Sequence, residues 1–260
     1  MTSWEIMLGS LPVYVMVMLR MLGLLVFNPV FARKNMPSVV RIALCLVITL
    51  AVAPGLPAMN MADYQAVDWL VEMGKQFIFG FFLGFVFVIF YNMISYIGDI
   101  IDFEMGLSMA KVFDPGTGIQ SSVTGRMFEI IFALYFFTTN SHLLLIKLFA
   151  RSFELLPIGG DIQIMSAAGY LIDLFISAFS LVLRLGLPFI AAEFVLEVSM
   201  GVLMKLIPQI HVFVINIQLK LILGIGMMIL FAAPITGFLD QFLNEALVST
   251  QEALALLAGR

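Results

Sequence analysis

Glu193 and Glu197 stand four residues apart in the stretch LPFIAAEFVLEVSMGVLMK, and in a helix that spacing puts both carboxylates on one face, where they repel each other when ionised. The pattern has two readings. Intramembrane carboxylates are functional by default, so one reading is a proton or cation site of a transporter. The other is structural, with cations of this chain or of neighbouring subunits neutralising the pair. Arg20, Asp173, Arg184, Lys205 and Lys220 also sit in strongly apolar surroundings. Each such charge costs about 2.5 to 3.5 kcal/mol at a helix centre in a membrane, so each needs a partner or water. Asp173 and Arg184 share a helix face but lie about 16 Å apart along it, too far to pair directly. Nothing in the sequence forms the matched broken helices that build a transporter's midplane site. The expectation is therefore that these charges form ion pairs at subunit contacts.

Other chemistry is poorly supplied. The sequence contains no HExxH, Walker loop or GxSxG pattern and so lacks the residue sets these motifs use for metalloprotease, phosphate-binding or serine-hydrolase chemistry. His142 and His211 are isolated and read as packed or hydrogen-bonded residues. Asp99, Asp102 and Glu104 form an acidic cluster without a second ligand set, and are expected to cap the end of a span at an aqueous boundary. The lone Cys45 cannot form an intrachain disulfide or a cysteine metal cluster. With a net charge of -4 and no basic block, nucleic-acid binding gains no support. The expectation is a protein that is not an enzyme and carries no cofactor or metal.

The elements that hold these charges are membrane-type helices. The chain is 62% hydrophobic and 12% charged, against roughly 25% charged for soluble domains. A helix needs about 20 apolar residues to cross the hydrocarbon layer. Ile42–Ala62, Gln76–Gly98 and Leu221–Leu239 are free of charge; Ile6–Phe31 contains only Arg20; Ile130–Ile146 is shorter; Ile162–Pro188 is interrupted by Asp173 and Arg184. These give an all-α fold of about six hydrophobic helices in hairpins, with Met200–Gln218 a further candidate broken by Pro208. Strand alternation is absent, which disfavours a β-barrel. The N-terminus reads as a retained span rather than a cleaved signal. Arg33, Lys34 and Arg41 precede a connection holding Asp63, Asp68 and Glu72, which places the first loop in the cytoplasm, although Lys147 and Arg151 oppose that scheme. Gly80 and Gly84 form a GxxxG pair suited to close helix contact, within the chain or with a partner. The tail beyond Pro234 is amphipathic and reads as an interfacial or partner-facing helix. No linker separates soluble domains, so residues 1–260 form one membrane domain.

One stretch breaks this pattern. GLSMAKVFDPGTGIQSSVTGR, Gly106–Arg126, is polar and rich in glycine. Irregular backbone at membrane depth is tolerated only where it is buried in protein or lines a water-filled cavity, so the segment is expected to face a lumen. Asp114-Pro115-Gly116 is turn chemistry, and Gly116 and Gly118 permit backbone angles other residues avoid.

Three stretches, RMLGLLVFNPVFARKNMPSVVRIALCLVITLAVAP, GDIIDFEMGLSMAKVFDP and GVLMKLIPQIHVFVINIQLK, together resemble the FliR family of flagellar export-gate proteins, whose relatives serve virulence type III secretion systems. The likeness runs over nearly the whole chain. Asp102 and Glu104 stand where the family is expected to carry Gly and Gln, Asn140-Ser141-His142 where a Gly-His ending is usual, and Asn216-Ile217-Gln218 where Gly-Phe-Pro is more typical. The resemblance implies a subunit with a FliP-like part over about residues 1–155 and a FliQ-like part over 156–260. It would assemble with several copies of FliP and FliQ into a helical hetero-oligomer, a closed export gate in the bacterial inner membrane and flagellar basal body. Much of that gate would lie at periplasmic level, with FlhB on the cytoplasmic side. Unfolded flagellar axial proteins would pass through it. By the same resemblance residues 106–125 form a plug, in which Met105, Gly106, Met109, Phe113, Asp114, Pro115, Gly116 and Gly118 would supply the seal and its turns. A virulence-system counterpart and a proton-coupled small-solute transporter are the alternatives.

Overall fold

The computed structural model describes residues 3–29, 31, 37–57, 65–108, 122–207 and 212–259. Among them are eight α-helices: α1 (Ser3–Phe27), α2 (Ser38–Val52), α3 (Ala66–Glu104), α4 (Val123–Thr138), α5 (Ser141–Leu155), α6 (Ile164–Leu206), α7 (Val212–Leu230) and α8 (Ala232–Leu257), with a short 3-10 turn, Ala53–Gly55, after α2. The fold is all-α. Three helical segments, Ser38–Gly55, Ala66–Glu104 and Ser166–Leu206, are long and apolar enough to cross a membrane unbroken. Two further apolar helix pairs are sharply bent, α4 with α5 by 71° and α7 with α8 by 64°, the form of a broken span or a re-entrant loop, and Leu11–Phe27 is a shorter apolar helix.

The boundaries differ from the hydropathy runs in instructive ways. Helix α3 starts ten residues before Gln76 and takes in Asp68 and Glu72, which the charge pattern alone assigns to a connection. Helix α6 runs 43 residues through Asp173, Arg184 and Pro188, so a proline and two charges interrupt the apolar run without ending the helix. The run Ile130–Ile146 is divided at Asn140, whose φ of 58° lies in the left-handed region. Glycine is favoured there and asparagine is among the few other residues that tolerate it, so Asn140 can take the conformation of the glycine usual at that place. The run Leu221–Leu239 bends by 64° between α7 and α8.

The chain forms two compact units that are discontinuous in sequence. The first comprises Met1–Ile89, Asn140–Phe175 and Glu245–Arg260. Its core includes Met16, Met21 and Leu24 of α1, Phe79 and Leu83 of α3, and Leu145 and Phe149 of α5, all fully buried. Helices α1 and α3 touch backbone to backbone. A Cβ on Gly80 would fall on the carbonyl oxygen of Arg20, one on Gly84 would lie 2.7 Å from the carbonyl oxygen of Leu24, and one on Gly23 would meet the backbone of Phe77 and Phe81. The GxxxG pair is thus occupied within the chain. The Tyr170 hydroxyl of α6 lies 3.1 Å from the Ser249 carbonyl and 3.0 Å from Glu252 Oε2 of α8.

The second unit comprises Phe90–Thr139 and Ile176–Asn244. Phe90, Phe132 and Phe242 are fully buried and meet edge to face, with ring centroids 5.1 Å apart for Phe90–Phe242 and 6.3 Å for Phe132–Phe242, a geometry worth about 0.5 to 1.5 kcal/mol per pair beyond area burial. Helix α3 crosses α4 at Gly98 and Gly125, where a Cβ on Gly98 would strike the Gly125 backbone. The Tyr135 hydroxyl donates to Asp240 at 2.8 Å. Ile235, Leu239, Phe242 and Leu243 of α8 are buried here, and Ala246, Ala253, Leu254 and Leu257 are buried in the first unit. Much of the apolar face of the C-terminal tail therefore serves the chain's own packing, with Phe238 and Leu247 only half-buried and Val248 exposed.

The α1–α3 contact is directly testable. Gly80→Ala places a methyl group against rigid backbone, and overpacking of this kind costs about 1 to 3 kcal/mol. Gly74, on the same helix, has open space around it, so Gly74→Ala should instead gain about 0.5 to 1 kcal/mol of helix stability. Thermal unfolding in detergent should separate the two variants, with a lowered Tm for the first only.

Candidate functional site

Two features combine the residues that carry charge or chemistry: the base of the polar loop and the buried ionic groups of each unit. At the loop base, α3 ends in Asp102, Phe103 and Glu104, and Gly106 turns the chain with φ of 76°. A bulkier residue would be strained at that angle. The chain is described again from Ser122, the N-cap of α4, whose hydroxyl accepts the Gly125 amide at 2.8 Å. Asp102 joins the two ends. Its carboxylate accepts the Ser122 hydroxyl at 2.7 Å, the Val123 amide at 2.7 Å and the Thr124 amide at 3.2 Å. The first amides of a helix have no intrahelical partner, and an anion beside them is favoured by the helix dipole. Asp102 is 1% exposed. It does cap a helix end, but that of the following helix and away from water, not its own at an aqueous boundary.

Met105, at the N-terminal base of the loop, is buried as well. Its side chain is buried in a notch on α7, where a Cβ on Gly224 would collide with the Met105 thioether. Met105 therefore anchors the N-terminal base of the loop. Met109, Phe113, Asp114, Pro115, Gly116 and Gly118 lie outside the described residues.

In the first unit, Arg20 is fully buried. Its Nε donates to Gln76 Oε1 at 2.7 Å, Nη1 to the Ser152 carbonyl at 3.0 Å and to Ser152 Oγ at 3.3 Å, and Nη2 to the Leu156 carbonyl at 3.0 Å. The guanidinium lies between two rings, 4.5 Å from the centroid of Phe79 and 4.0 Å from that of Phe153, an arrangement favoured by the ring quadrupoles. Gln76 donates in turn to Glu72 Oε1 at 2.6 Å, which also accepts the Gly159 amide at 2.9 Å. Lys75 lies 3.8 Å from Glu72 and 3.4 Å from Asp161. The network ties α1, α3 and α5 to the turn after α5, and meets the needs of Arg20 within its own chain. Glu72 and Gln76 were the residues sequence reasoning missed. Their i, i+4 spacing, followed by Phe79 and Gly80, was the available signal.

In the second unit, Lys220 of α7 pairs with Glu197 of α6 at 3.5 Å, so one of the two glutamates finds its cation inside the chain. Glu193 is 1% exposed, and neither carboxylate oxygen has a hydrogen-bond partner among the described residues. Asp173, Arg184 and Lys205 are exposed on α6, among the exposed apolar side chains Ile172, Phe175, Leu187, Val202 and Met204. The fold brings Glu197 and Lys220 together but leaves these three charges on the helix surface.

Long apolar helices joined by buried polar networks, with outward apolar surface still uncovered, define a helical membrane protein. Residues 11–246 match the model of the family described as bacterial export proteins, family 1. The flagellar biosynthetic protein FliR of Escherichia coli strain K12 is 32% identical over 92% of this chain and 91% of its own length. That of Bacillus subtilis strain 168 is 25% identical over 95% and 96%, and the Yop proteins translocation protein T of Yersinia pestis is 25% identical over 80% of each. The chain belongs to this FliR export-apparatus family of type III secretion.

Asp102→Ala would leave three donors at the loop base without their acceptor. Each buried unsatisfied group costs about 1 to 3 kcal/mol. Hydrogen exchange at the Val123 and Thr124 amides should accelerate, while exchange at the Arg20 network stays unchanged. Equal protection in wild type and variant would refute the clamp.

Proposed function

We propose that this chain is a core subunit of the flagellar type III export gate, built with copies of FliP and FliQ around a channel for unfolded axial proteins, with FlhB on the cytoplasmic side of the inner membrane. The polar loop is its plug. In this reading residues 1–155 are FliP-like and 156–260 FliQ-like, and the complex stands largely at periplasmic level within the basal body. The observation that carries it, beyond family membership, is the Asp102 clamp, which fixes the start and end of the polar segment at one place. A segment so held can be presented into a lumen while the helices beside it keep their packing. The 32% identity and 91% coverage of the Escherichia coli flagellar relative, against 25% and 80% for the Yersinia one, favour the flagellar system.

The exposed charges fit the same reading. Asp173, Arg184 and Lys205 lie on an apolar helix surface, where lipid would be a poor neighbour for them. Adjacent subunits would cover that surface and supply the opposite charges. Arg20 stands apart as a strut of the subunit itself.

Deleting residues 116–121 tests the plug while keeping Ser122, the cap of α4. If the loop biases the gate toward closed, its loss raises the open population without unfolding the subunit. Ion or small-solute permeability should rise in cells lacking export substrate, with the complex intact by size. Unchanged permeability in a fully assembled gate would remove the plug assignment and leave the family membership standing.

A further inference from the structure

Glu193 has no role in the packing or clamp described above. Among the described residues, the charges that act on its carboxyl group are Lys220, Glu104 and Glu197. Three carboxylates thus face one ammonium, and that ammonium is paired with Glu197. An ionised carboxylate buried without hydrogen bonds or a counter-ion is costly enough that such groups neutralise instead. Glu197 has the opposite situation: its side chain is 62% exposed, whereas that of Lys220 is 14% exposed. Water can therefore support the Glu197 charge if Lys220 leaves it. Residues four apart on a helix have Cβ atoms roughly 5 to 6 Å apart, a distance that a lysine's flexible four-carbon stem can cover by changing rotamers.

We propose that Glu193 is a proton-binding site: its carboxyl group holds a proton while Lys220 is engaged with Glu197, and release of that proton draws Lys220 across from Glu197 to Glu193. Proton occupancy would thereby be converted into a change of pairing between α6 and α7. The inference rests on the burial of Glu193 and the local charge imbalance, and does not require the export reading.

Infrared difference spectra across a pH jump read the protonation state directly. The full chain, isotope-labelled at its glutamates, is assembled with unlabelled partners so that its carboxyl bands are resolved. A protonated-carboxyl band should be present at neutral pH and vanish at alkaline pH. It should be lost in Glu193→Gln, and in Glu197→Gln, which frees Lys220 to pair with Glu193, it should vanish at lower pH than in the wild type. In Lys220→Met the anion has lost its cation, so the band should persist to higher pH. Gln resembles the neutral acid, so Glu193→Gln should assemble normally. Failure of Glu193→Gln to assemble would show that the negative charge is needed, and would overturn the proposal. So would full retention of the band in that variant, which would make Glu193 an ion-pair partner for a basic side chain of a neighbouring subunit.

Discussion

A guanidinium sealed from water must be met by oriented acceptors on every side, and around Arg20 that requirement organises much of the first unit. Among the described residues no carboxylate pairs with it directly. Instead, an amide oxygen, two carbonyls, a hydroxyl and two ring faces share its charge. Those groups come from α3, from α5 and from the residue that ends α5, and each has to be held at hydrogen-bond distance. The glycine contacts of α1 with α3 make this possible by letting the two backbones approach closely enough for Gln76 to reach Nε. Removing the charge's acceptors would leave it stranded, and each hydrogen bond lost at a charged group costs about 1.5 to 3 kcal/mol.

The second unit solves its polar problems on a smaller scale. Asp102 answers helix amides, Tyr135 answers Asp240, and Lys220 answers Glu197. Asp102 and Lys220 each join consecutive helices and Tyr135 reaches one remote in sequence, in a core otherwise made of aromatic rings and close glycine crossings. Specific pairing matters here because hydrophobic driving force between helices is weak where lipid is the alternative neighbour. Packing and hydrogen bonds must then choose the contacts.

The helices themselves were legible in the sequence because crossing a membrane demands long apolar runs, and those runs are present. What hydropathy could not show is where a helix continues past a charge. Glu72 reads as part of an acidic connection until Gln76 and the Gly159 amide are seen to receive it. Asp173 and Pro188 look like interruptions, yet α6 passes through both. The charges flagged by sequence were the right residues to question, but a one-dimensional pattern cannot say which neighbour lies across a groove. Arg20 and Lys220 found partners in their own chain, whereas Asp173, Arg184 and Lys205 found none among the described residues. The amphipathic tail illustrates the same limit, since periodicity identifies an apolar face without naming what buries it.

Because Asp102 already holds the two ends of the polar segment together, the bundle is indifferent to how much chain hangs between them. Closing a longer loop costs only about 0.6 kcal/mol for each doubling of its length. Insertions and deletions between Gly106 and Ser122 should therefore be accepted with little penalty to folding, so this segment can drift in length and composition among relatives while the helices that carry it keep their contacts. Whatever task falls to that segment can be altered by changing it alone.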